Sequence, residues 1–272
     1  MKNLLRYTAL LALVALVACE EVIDIELDNA APQLVIDATL SNTQQYNRVL
    51  LSQSGGFDTL GRYPAIAGAV VSLDAASGQR YDGQEIAAGT YVFDSLQARV
   101  GETYTLRVAH GGETYEAISY LPAPLVLDSL SFVYFEERPG IAGGYLMRVH
   151  HPLPLSTSSY CRFWVTVNGR RLPDYYLYDG NQPGGTAGMF AFRMGPAITL
   201  FQPGDSIVVL AAAIDAGAYT YFSQLADLNS SSVGPLVNTA TAPTNPTSNI
   251  SGGVLGYFAA MGYSSIAGVV RE

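Results

Sequence analysis

Period-two alternation, broken every few residues by turn chemistry, most constrains what this chain can fold into. Between Gln33 and Leu121 it is carried by Leu34-Val35-Ile36, Val49-Leu50-Leu51, Ala69-Val70-Val71-Ser72-Leu73, Thr90-Tyr91-Val92-Phe93 and Tyr104-Thr105-Leu106-Arg107-Val108. Runs this short cannot build the apolar stripe of a helix, whereas successive side chains on a strand point to opposite faces, so the segment reads as a β-sandwich. Gly55-Gly56, Ser77-Gly78, Asp82-Gly83 and Gly111-Gly112 supply positions where a positive φ costs little. The last pair is placed to join strands 104–109 and 113–120 as a hairpin.

Leu96-Gln97-Ala98-Arg99-Val100-Gly101-Glu102-Thr103-Tyr104 resembles the tyrosine corner of immunoglobulin-like and fibronectin-like sandwiches, where a Tyr at the start of a strand bonds back to the preceding turn. Leu121-Pro122-Ala123-Pro124 is a stiff, extended break, since each proline lacks an amide donor and disfavours helix before it. Beyond it, strands are expected at 129–136, 144–150, 159–168, 187–194, 205–214 and 264–270, with Asn168-Gly169 as a hairpin turn. Asp215 is placed to cap one short helix, Ala216 to Leu228, with Tyr219, Phe222 and Leu225 or Ala226 on one side. Residues 229–252, rich in Ser, Thr, Asn, Pro and Gly, read as a surface loop. The expected fold is therefore all-β: an immunoglobulin-like or transthyretin-like sandwich over 33–122, then a second β-rich domain over 123–272 with one short helix.

The N-terminus has a different chemistry. Lys2 and Arg6 precede an uncharged, apolar run from Tyr7 to Ala18, which is too short to span a bilayer as a helix and reads as an export signal over residues 1–18. It closes in Leu16-Val17-Ala18-Cys19, which resembles the lipobox of bacterial lipoproteins and implies that Cys19 becomes an acylated N-terminus holding the protein to a membrane. Several acyl chains anchor far more firmly than one, because each buried methylene contributes about 0.8 kcal/mol. Residues 19–32 follow as an acidic tether, with five acids in Glu20 to Asp28. This stretch is read either as a solvated spacer or, by resemblance, as an export signal of Bacteroidota surface lipoproteins.

Removing residues 1–18 leaves 254 of 272 residues, with no lysine and a net charge of −11 from twelve arginines against 23 acids. An acidic, lysine-free surface is poorly suited to nucleic acid. Schiff-base and Ser-Lys chemistry are excluded because no lysine amine remains to perform them. His110 sits at a hairpin tip, and the adjacent His150 and His151 point to opposite faces of one strand and cannot share a metal on one face. Asp174, Asp179 and Asn181 lack the spacing of a calcium loop, so neither a metal nor any other cofactor is expected. Cys161 alternates with Phe163, Val165 and Val167 on an apolar face and reads as an inert core thiol.

Two features point toward interaction. Tyr175, Tyr176 and Tyr178 precede Gln182-Pro183-Gly184-Gly185, and Phe190 and Phe192 follow, so aromatics frame a loop where they either contact a glycan, peptide or protein partner or serve as strand packing. Thr59, Ser95, Ser129 and Ser206 each sit in an Asp-Ser/Thr-aliphatic triplet, where composition alone predicts about one. The triplet resembles the O-glycosylation site of Bacteroidota export proteins and is also a natural start for a strand.

Together, the Cys19 signal and acidic stretch, Gln33-Leu34-Val35-Ile36, Ala67 to Leu73, Gly89-Thr90-Tyr91, Gly101 to Val108 and the tail Pro243 to Phe258 resemble the Bacteroidota lipoproteins called domain of unknown function 4249. The resemblance implies an outer-membrane lipoprotein, commonly encoded beside a TonB-dependent receptor, with no catalytic residues to carry over. The expectation is a non-catalytic accessory or binding subunit of such a transporter. The alternatives are a free-standing adhesin for glycans or peptides and a hydrolase. Cys19→Ser is expected to move the protein out of the membrane fraction, as read by fractionation and immunoblot; a Cys19→Ser protein that stays membrane-bound overturns the lipid anchor.

Overall fold

The computed structural model describes residues 31–55, 63–139, 143–152, 160–180, 189–191, 200–231 and 244–271. Cys19, Thr59 and Phe192 lie outside them. The alternating runs form β1 (Leu34–Ser41), β2 (Arg48–Gln53), β3 (Val70–Ala75), β4 (Arg80–Asp82), β5 (Gln84–Ala87), β6 (Thr90–Val92), β7 (Thr103–His110) and β8 (Glu113–Tyr120). Then come β9 (Ser129–Phe135), β10 (Gly144–His150), β11 (Tyr160–Val167), β12 (Arg170–Asp179), β13 (Met189–Ala191), β14 (Ser206–Ile214), the helix α1 (Ala216–Ser231) and β15 (Leu255–Val269). Over the described residues the fold is all-β with one short α-helix, as expected.

Local chemistry sets the turns. Gly111 and Gly112 both have positive φ between β7 and β8, as do Asn168 and Gly169 between β11 and β12, the twist that two-residue hairpins require. The tyrosine corner forms: the hydroxyl of buried Tyr104 accepts from the Arg99 amide at 2.7 Å and donates to Glu102 at 3.0 Å. Asp215 caps α1, its Oδ1 accepting from the Ala218 amide at 2.7 Å.

The strands make three sheets. The largest runs β12-β11-β14-β15-β1-β2-β6-β5, and its front face is covered by two smaller sheets, β4-β3-β7-β8 and β13-β10-β9. Behind the first small sheet lies a core of Ile36, Leu51, Leu73, Tyr91, Tyr104 and Phe258. Behind the second lies another, with Met147, Val149, Cys161, Phe163 and Val209. Helix α1 covers part of the back face, packing Ala218 and Phe222 against Trp164, Tyr257, Met261 and Tyr263.

β15 joins the two halves and is longer than the sequence reading of 264–270. Its first half, Leu255–Met261, pairs parallel with β1, and its second half, Gly262–Val269, pairs antiparallel with β14 on the opposite edge. Alternation fails over Val254 to Tyr263 because both faces are buried there: Phe258 and Ala260 face the front core, while Tyr257, Ala259 and Met261 face α1. As a result, Ile250, Val254, Phe258 and Ala260, from the end of the chain, complete the core of the first sandwich. β12 is likewise a ten-residue edge strand where the sequence reading placed only the rim of a loop.

A strand paired on one side only for half its length leaves backbone groups to satisfy. Two asparagines do this. The Asn249 amide accepts from Phe258 N–H at 2.9 Å and donates to Phe258 C=O at 2.9 Å, and the Asn42 amide does the same at Tyr263, at 2.7 and 3.1 Å. Each side chain stands in for a missing neighbouring strand. Between them, the buried Ser119 hydroxyl accepts from Ala260 N–H at 2.9 Å and bonds the Asp215 carboxylate at 3.2 Å, tying β8, β15 and the helix cap together.

At the handover the linker crosses directly over β15. A Cβ on Gly262 would lie 2.4 Å from the Pro122 carbonyl oxygen and 2.8 Å from Pro124 N, so only glycine fits. Gly262→Ala is expected to lower stability by about 1–3 kcal/mol through overpacking, read as a lower urea midpoint with unchanged slope. Asn249→Ala should cost a similar amount, about 1–3 kcal/mol, by orphaning both Phe258 backbone groups. An unchanged midpoint for Asn249→Ala would remove the amide from the account of β15.

Candidate functional site

The handover that lengthens β15 also shapes the back face. A cavity of about 450 Å³ opens there, in the size range of small-molecule sites. Its lining comes from both halves of the molecule: Asp37 and Thr39 on β1, Arg48 on β2, Arg162 and Trp164 on β11, Arg171 on β12, Tyr221 and Phe222 on α1, and Tyr257, Ala259, Met261 and Tyr263 on β15. Register explains the convergence. Tyr257 lies beside Asp37, and Ala259 beside Thr39, which in turn pairs with Arg48; from the other side, Tyr263 pairs with Ala212 and Ala212 with Arg162. Directly paired residues share a face, and the small side chains of Ala259 and Ala212 leave room above the sheet that the surrounding rings do not fill.

Aromatic contacts run along the walls. Tyr46 and Tyr263 lie 4.5 Å apart, Trp164 and Tyr263 stack at 6.0 Å, and Tyr221 and Tyr257 stack at 4.7 Å between ring centres. Arg162 sits among them, with its guanidinium carbon 4.0 Å from the Tyr175 and Phe222 ring centres and 4.5 Å from that of Trp164. Tyr175 is fixed in turn by a 2.8 Å bond from its hydroxyl to the Phe222 carbonyl. Arg171 lies 4.7 Å from the same Trp164 ring. Rings on its faces hold a guanidinium in plane and leave its edge to bond.

Burial holds the Arg162 guanidinium below the usual arginine range, and its Nε has no hydrogen-bond partner. Burial likewise pushes the Asp37 carboxyl up, while the charges of Arg48 and Arg162 pull it partly back. Asp37 nonetheless keeps an exposed surface, because it faces the open cavity and not packed side chains. Among the described residues, Asp37, Arg48, Arg162 and Arg171 form no salt bridge with any group. The lining therefore carries three cations and one anion in a chain whose net charge is −9.

The residues singled out by sequence fall elsewhere or at its margin. Tyr175 supports Arg162 from the back face, whereas Tyr176 and Tyr178 pack toward the Cys161 core on the front. Phe190 belongs to β13, across from Val149 in a different sheet. Burial pushes the Cys161 thiol up to about 12, which leaves it protonated and inert. Ser95, Ser129 and Ser206 are exposed, and the aliphatic residue after each turns inward: Leu96 and Ile207 are fully buried and Leu130 packs on the second core. His150 Nε2 lies 2.7 Å from the Ser131 hydroxyl, and no described carboxylate bonds its other ring nitrogen. No group of three or more His, Cys, Asp or Glu among the described residues could hold a metal.

Arg162, Asp37 and Trp164 were missed as a site, although one signal was visible. Opposite the Cys161-Phe163-Val165 face of β11 stand Tyr160, Arg162, Trp164 and Thr166, a cation flanked by two rings on one side of a strand.

Comparison with known proteins gives a family and no activity. No curated protein matches the chain. Among solved structures, a two-domain fibronectin type-III segment from chicken tenascin is similar at 13% identity and a TM-score of 0.26, over 90% of this chain and 100% of that one. The sequence model of the family described as Domain of unknown function (DUF4249) matches residues 20–267, nearly all of the chain that follows the signal-like segment. The chain therefore belongs to the DUF4249 family.

Proposed function

We propose that this protein is a Bacteroidota outer-membrane lipoprotein, anchored through acylated Cys19, that serves beside a TonB-dependent receptor as a non-catalytic binding subunit. The observation that supports binding is the back-face cavity. It is assembled from six strands and the helix, and it presents rings and cations, groups that hold a ligand in place without reacting with it. The anchoring part of the reading rests on the Leu16-Val17-Ala18-Cys19 sequence; no described helix is long and apolar enough to cross a membrane.

A receptor subunit of this kind would hold its ligand near the mouth of a barrel and raise its local concentration there. The acidic residues after Cys19 would keep the folded part off the membrane, by solvation and charge. The exposed hydroxyls of Ser95, Ser129 and Ser206 belong to the same reading, as sites where a glycan would face solvent.

Native expression followed by mild-detergent purification and mass spectrometry tests this. The expected result is co-purification with a β-barrel receptor and a mature chain beginning at lipid-modified Cys19. Repeated isolation without any barrel, combined with binding on a glycan or peptide array, would transfer the protein to the adhesin reading.

A further inference from the structure

We infer that the back-face cavity takes a small organic acid: a carboxylate on a flat, apolar body, with the carboxylate on the edge of Arg162. This rests on the binding-subunit reading and names the ligand class of that same site. Arg162 lines the cavity, its Nε is buried without a partner and rings occupy its faces, so the terminal edge formed by its two Nη groups is the part left to bond a ligand. A planar guanidinium with a free edge matches a carboxylate in a two-bond fork. An anion would also offset the desolvation that holds Arg162 below its ordinary range, because an opposite charge beside it favours the charged form.

The rest of the lining narrows the choice. Arg48 and Arg171 add positive charge near the cavity, and both are exposed, as steering groups at a rim would be. Trp164, Tyr263, Tyr257 and Phe222 offer apolar and ring surface that suits a flat hydrocarbon body better than a sugar alcohol or a bare inorganic anion. Asp37 provides one acceptor, so a donor on the ligand, such as a hydroxyl or amino group, fits opposite the acid. A cationic ligand would meet three like charges against one partner.

Trp164 is the sole tryptophan of the chain and forms part of the wall, so its fluorescence reports occupancy directly. The full chain in mild detergent is titrated with phenylacetate, and in parallel with benzyl alcohol, benzylamine and phenyl phosphate. A saturable change is expected with phenylacetate, weaker or absent with the other three. Arg162→Lys should weaken phenylacetate binding about tenfold, since the charge stays while the fork is lost. Arg171→Gln, at an exposed position, is expected to weaken it less and to flatten its salt dependence, which keeps the test valid if the Arg162 variant unfolds. No saturable change with phenylacetate overturns the inference. Equal or tighter binding of the alcohol, the amine or the phosphate also overturns it, yet leaves a working cavity, so the ligand class fails separately from the binding-subunit reading.

Discussion

The two-sided pairing of β15 is the interaction on which the rest of the molecule depends. One strand hydrogen-bonds to β1 along its first half and to β14 along its second, so two sandwiches share a single eight-stranded sheet. Tandem domains joined only by a Pro-containing linker would be free to reorient. Here the linker is pinned against Gly262, and backbone bonding runs continuously across the junction. The arrangement has a cost, because each half of β15 has an edge without a neighbouring strand. Asn249, Ser119 and Asn42 meet it with side-chain groups of the required polarity.

From this pairing follows the location of the cavity. The back-facing residues of β15 lie between those of β1 and β2 on one side and those of β14, β11 and β12 on the other. Charges far apart in sequence, Asp37, Arg48, Arg162 and Arg171, are thereby set around one space with rings between them. Sites at the junction of two folded units are common because neither unit has to sacrifice its own core to make room. In this molecule the space that these four charges surround lies on the face that α1 covers only in part.

The elements that sequence made legible are those whose reasons are local. The Gly111-Gly112 and Asn168-Gly169 turns, the Tyr104 corner and the Asp215 cap all depend on residues within a few positions of one another. Elements that depend on burial by distant parts were harder to read. Val254 to Tyr263 lacks alternation since both of its faces are covered, and β12 is an edge strand whose aromatics divide between the two faces, so that Tyr175 and Tyr176 serve different cores. The paired use of Asn42 and Asn249 has no local signature at all, because an amide that replaces a strand is recognisable only once the strand is in place.

Sequence by itself determined the all-β class, the turns that punctuate it, the helix that follows Asp215 and its cap, and the inert character of Cys161, because periodicity, φ preferences and short-range hydrogen bonds are written in neighbouring residues. It also contained Arg162 between Tyr160 and Trp164 on one strand face. Only the tertiary structure decided that the last strand would serve both halves, and that three arginines and one aspartate from four strands would surround a common space. Those outcomes depend on pairing across more than two hundred residues, as between Val35 and Leu255, and no local rule fixes a contact at that separation.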